Sequence, residues 1–181
     1  MAAMTLSRFA LLLATIGFKV ITALPATTAA QLYPEVIPGP GLPSLASLNL
    51  TSAQLYTMPS PISSISLLNR ATSFQSVCGP QDAVYVNVQD IIACYHYLSS
   101  LNQNCGGTTF NQGDTMCTAG NAKVVDSCHS DSCSVRCTEA AVSVLWAINS
   151  CTRPDQSCAG WAQPSGNGDL IVGAINKNYN G

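Results

Sequence analysis

Ten residues, Cys128 to Cys137 (CHSDSCSVRC), hold three thiols, an imidazole and a carboxylate. Side chains of these types at this density fit two chemistries, a thiolate–imidazole metal cage or a crowded set of disulfides. A structural zinc site needs reduced thiolates, so the redox compartment decides between them. All nine cysteines lie at or after Cys78. A cysteine-dense exported domain is a disulfide framework, and an exported chain is what the N-terminus indicates. Disulfides are therefore expected, with no metal and no cofactor, and His129 is expected as a surface loop residue. The candidates for pairing are Cys78, Cys94, Cys105, Cys117, Cys128, Cys133, Cys137, Cys151 and Cys158. Nine is odd, so one thiol stays free or pairs outside the chain, and the connectivity is open.

The export signal is in residues 1–23. A single Arg8 precedes ten apolar or small residues, Phe9 to Phe18, and a small residue follows at Ala23, the pattern of a secretory signal peptide. The apolar run is too short to span a bilayer, which takes about 20 residues, so no transmembrane segment is expected. Residues 24–77 contain seven of the ten prolines, many Ser and Thr, and two charges, Glu35 and Arg70. Proline removes a ladder donor and restricts its predecessor, so YPEVIPGPGLP is expected to be extended or irregular and outside a packed core. The segment reads as a largely disordered stalk or pro-region, carrying one N-glycosylation acceptor at Asn49 (NLT).

Residues 78–181 are the right size for one domain. They carry eight acids and four bases, which lacks the basic footprint of a nucleic-acid binder. Val88, Ile91, Ile92, Tyr95, Leu98 and Leu101 recur at steps of three and four, predicting a helix capped by Asn87 with Cys94 inward and His96 outward. A second helix is expected from Ser134 to Ser150, with Cys137, Ala141, Val144, Leu145 and Ile148 buried, Arg136, Glu139, Ser143 and Ser150 outside, and Trp146 at the border. A strand, Ala83 to Asn87, precedes the first helix. One hairpin is expected around a Gly-Asn turn in TMCTAGNAKVVDSC, and another around Asn167-Gly168, closing in the strand DLIVGAI. That order, strand, helix, hairpin, helix, hairpin, is α+β: a small disulfide-rich split βαβ sandwich, its antiparallel sheet covered on one face by two helices, with the last strand central.

Four motifs, NCGG, CTAGNAKV, VLWAINSC and GNGDLIV, together resemble the small secreted fungal proteins of the killer-toxin-like group, over about Asp90 to Asn176. That group is related in fold to secreted effectors that provoke necrosis in plants. The resemblance implies a disulfide-bonded α/β sandwich acting outside the cell by binding a protein or glycan of a host or competing microbe.

Catalytic residues are sparse. His96, Glu139 and Arg136 would make a ribonuclease-like set, but helical spacing puts His96 on a solvated face, and Arg136 and Glu139 are expected to form a weak surface pair. No G-x-S-x-G elbow occurs, and QPSGNGD sits between strands, so it reads as a turn. The expectation is no enzyme. Binding candidates are Trp161, an indole able to stack on a sugar ring or anchor in a partner's pocket, and Lys123, a lone cation beside a hairpin turn. An extracellular lectin or cell-wall module, using Trp161, Tyr95 and Tyr97, is the alternative, with a secreted nuclease or hydrolase behind it.

Overall fold

A computed structural model describes residues 33–61, 74–107, 113–130, 133–165 and 169–179. In chain order the elements are β1 (Val36–Pro38), α1 (Ser52–Thr57), β2 (Val77–Cys78), β3 (Val86–Asn87), α2 (Val88–Ser99), β4 (Asn104–Cys105), β5 (Thr115–Ala119) and β6 (Ala122–Cys128), then β7 (Val135–Arg136), α3 (Cys137–Cys151), β8 (Ser157–Cys158), β9 (Gly160–Ala162) and β10 (Leu170–Asn176). Six strands form one antiparallel sheet in the order β1-β5-β6-β10-β9-β2, and β3–β8 and β4–β7 are short separate pairs.

The α+β sandwich expected from the element order is the observed fold. α2 begins where the cap and periodicity put it, with the Asn87 side chain accepting from the Gln89 N–H at 2.9 Å. β10 is central, paired with β6 on one side and β9 on the other. Because side chains alternate along strands, Ala122, Val124 and Cys128 of β6 and Leu170, Val172 and Ala174 of β10 face one way. They share a core with Ile91, Ile92 and Leu98 of α2 and with Ala141 and Val144 of α3.

Residues 33–61 depart from the expected stalk. Val36 and Leu55 are buried in the main core, β1 forms an edge of the sheet, and α1 packs on α2. Proline is compatible with this, because Pro38 ends an edge strand, where a missing donor interrupts no ladder. Leu42, Leu45, Leu48 and Leu50 then pack against the core, while the Asn49 side chain is exposed. The expected signal peptide (1–23), residues 24–32 and 62–73, and the expected Asn167-Gly168 turn lie outside the described residues.

Smaller differences follow from local competition. Asp82–Val84 is a 3-10 turn, which leaves only β3 of the expected first strand. The second helix starts at Cys137, because Val135 and Arg136 pair with Asn104 and Cys105 instead. Ser143, expected outside, is buried, its hydroxyl lacking a partner, and Leu145, expected inside, is half-buried.

Bridges join Cys78–Cys151, Cys94–Cys117, Cys105–Cys137 and Cys128–Cys133. The first three each tie a helix to a strand: Cys78–Cys151 and Cys94–Cys117 join α3 and α2 to the main sheet, and Cys105–Cys137 joins α3 to the β4–β7 pair. Cys158 is the unpaired ninth cysteine and is buried, its thiol donating to the Ala147 carbonyl at 3.3 Å. Burial pushes that thiol up to about 11, so it stays protonated and unreactive at neutral pH. The expected outcome of alkylation is no adduct on the native protein and one adduct after denaturation without reductant, read by intact mass.

Candidate binding face

On the other face of the sheet, alternation presents Lys123 and Val125 of β6, Gly173 and Ile175 of β10, Trp161 of β9 and Val77 of β2. Among the described residues α2 and α3 pack on the opposite face, and the 3-10 turn Asp82–Val84 reaches this one. Trp161 stands opposite Gly173 across the β9–β10 ladder and opposite Val77 across β2–β9. A Cβ at Gly173 would lie 2.5 Å from the Trp161 Nε1, so the half-buried indole occupies space that any larger residue would fill. Val84, Ala159 and Ile175 form a small second core here, with Trp161, Tyr85 and Tyr179 packed around it.

Charge is placed at the margins of this aromatic group. The Arg153 guanidinium lies 3.2 Å from the Tyr85 ring centroid and bonds Asp82 at 2.8 Å. That carboxylate contact holds the guanidinium above its ordinary pKa. Lys123, cross-strand from Ile175, donates to the Tyr179 carbonyl at 2.9 Å. Val77 and Ile37, the exposed large hydrophobic residues among those described, sit at the two edge strands with 45 % and 52 % of their surface free. The arrangement offers an apolar aromatic centre flanked by cations, a composition common in recognition surfaces.

The two residues singled out by sequence, Trp161 and Lys123, are thus on one face, separated by β10. Tyr85, Tyr179 and Arg153 were missed, since they reach the face from a turn, the chain's end and a loop. One signal was available: glycine inside the apolar strand DLIVGAI marks close approach of another group. Gly173→Val is expected to keep the sheet and displace the indole, giving a red-shifted tryptophan emission with the unfolding midpoint changed by about 1 kcal/mol or less.

His129 is exposed just past β6. His96, expected on solvent, is half-buried, because Pro59 and the rest of 33–61 lie over that part of α2. No hydrogen bond or ion pair joins His96, Arg136 and Glu139, and the ion pair found among the described residues is Arg153–Asp82. Tyr97, counted toward carbohydrate stacking, is fully buried and donates to the Pro43 carbonyl. Neither histidine lines the clefts of ≈ 260 Å³ by Asp114 and Asp126 and ≈ 220 Å³ by Arg136 and Thr138. Cys128 and Cys133 of the opening motif are bridged to each other, and among the described residues no three His, Cys, Asp or Glu side chains are grouped to hold a metal.

Burial holds the His96 imidazole below its ordinary value of 6.5, against a smaller upward pull from a hydrogen bond with Pro59. The unfolded chain therefore binds the proton first, and stability present above pH 6.5 is lost as pH falls below it. Urea midpoints should drop between about pH 7.5 and about pH 5.5, and His96→Gln should flatten part of that drop.

The family model described as Domain of unknown function (DUF8794) matches residues 74–176, and the chain belongs to that family. No curated protein and no solved structure matches it. Among the described residues no helix is long and apolar enough to cross a membrane. Four disulfides fit a protein of an oxidising, extracellular setting.

Proposed function

We propose that this member of the family is a secreted killer-toxin-like or effector-like protein that acts by binding an extracellular target, without bond cleavage. The observation that carries the reading is the sheet face opposite α2 and α3, where Trp161 lies over Gly173 with Tyr85 and Tyr179 packed around the same small core, and Arg153 and Lys123 stand at its margins. Such a face gives an anchor that loses little side-chain freedom on binding, because Trp161 and Lys123 are already held by neighbours. The target is a protein or glycan on a competing microbe or host, recognised by an apolar ring surface and cations. Its acidic domain gives no electrostatic reason to bind nucleic acid.

Applying the purified, oxidised protein to a panel of microbes and to plant tissue tests the proposal. Growth inhibition or a host response that Trp161→Ala weakens about tenfold or more is expected. Silence across the panel, or undiminished potency of the variant, refutes it. The carbohydrate alternative keeps support from the half-buried Trp161 and Tyr95, and glycan arrays probed with wild type and Trp161→Ala separate the two target classes.

A further inference from the structure

The matched domain starts at residue 74, yet one edge of its sheet is closed by a strand from outside it. β1 pairs only with β5, and the segment that carries it has its own local order. Thr51 and Gln54 form a reciprocal capping box at the start of α1, and the Ser52 hydroxyl accepts from the Val36 N–H at 2.9 Å, joining helix to strand. The segment thus carries its own helix cap and its own strand–helix bond, and it meets the domain through β5 and α2.

The surface it docks on is built to receive it. The Gly39 N–H donates to the Met116 carbonyl at 2.9 Å, continuing the ladder, and a Cβ at Gly39 would collide with the Thr115 carbonyl, so only glycine approaches this closely. Leu55 is fully buried. The Tyr56 hydroxyl donates to Asp90 Oδ1 at 2.8 Å, and from the domain side the Tyr97 hydroxyl donates to the Pro43 carbonyl at 2.8 Å. A strand edge, an apolar hole and two polar fixing points are the ingredients of strand addition combined with a helix in a groove.

We infer that the β5 edge and the adjoining face of α2 form a peptide-binding groove whose resident ligand is the chain's own segment 33–61, held in cis. The covalent link through 62–73 raises its effective concentration and keeps the groove filled. Without that occupant, β5 presents unpaired main-chain groups, the template on which another chain adds a strand. The segment therefore acts as the groove's cover. This inference is independent of the face around Trp161.

The test uses the full chain with a specific protease site placed in 62–73. After cutting, the pieces are expected to co-elute when concentrated and to separate on dilution, with the near-ultraviolet signal retained. A fluorescent synthetic 33–61 peptide should then re-enter, and the same peptide carrying Leu55→Asp should bind at least about tenfold more weakly. Loss of the tertiary signal when the segment leaves, failure of the peptide to exchange, or equal binding by the two peptides would overturn the inference. In the uncut chain, Leu55→Asp should leave amide protection in β6 and β10 intact while 33–61 exchanges rapidly; protection lost throughout the sheet would be equally contrary.

Discussion

Replacing Cys94 and Cys117 together by serine is expected to cost about 4–6 kcal/mol of stability, measured as a fall in the denaturant midpoint. The bridge closes a loop with a sequence separation of 23 and ties α2 directly to β5. Loop entropy alone accounts for about 3.4 kcal/mol. Both sulfurs lie in the fully buried core, so the serine hydroxyls would be placed among Ile91, Leu98 and Val124 without assured partners. The Cys128–Cys133 bridge, with a separation of only 5, should cost about 2 kcal/mol when removed the same way.

Asp126→Ala is expected to lower stability by about 3 kcal/mol. This carboxylate is buried on the helix side of β6, accepting from the Gly107 N–H and the Asp114 N–H, both at 2.6 Å. Burial raises its pKa, and the two main-chain donors pull against that, which is the signature of a structural carboxylate held by hydrogen bonds. Removing it strands the Gly107 and Asp114 N–H donors. Asp126→Asn keeps one acceptor and should lose about half as much, read by the same denaturant titration.

What the sequence disclosed was local. Asn87, followed by apolar residues at steps of three and four, marks α2 without any tertiary knowledge, and the Gly-Asn turn between two β-branched segments marks the β5–β6 hairpin. The apolar run Leu170–Ile175 already argued for a strand flanked on both sides. β1 escaped notice because a three-residue edge strand carries no periodicity and ends in proline, and α1 because six residues give less than two turns of pattern. The half-burial of His96 follows from that omission, since Pro59 and the rest of 33–61 lie over the face of α2 that helical spacing alone gives to solvent.

The binding face was visible only in pieces. Trp161 and Lys123 stand out by residue type, but their shared face depends on the registers Gly173↔Trp161 and Ile175↔Lys123, which are non-local pairings. Arg153 meets Tyr85 and Asp82 from about 70 residues away in the chain, beyond any spacing rule. Bridge connectivity is of the same kind, fixed by which cysteines the two layers bring opposite each other.

The most direct measurement is binding of the fluorescently labelled, oxidised protein to intact microbial cells and plant tissue, comparing wild type with Trp161→Ala, Lys123→Ala and, as a control on the helical layer, Glu139→Ala. Saturable binding that the two sheet-face substitutions weaken by about tenfold and the control leaves unchanged is the outcome expected of this account. Binding that is absent throughout, or that all four proteins share equally, would contradict it.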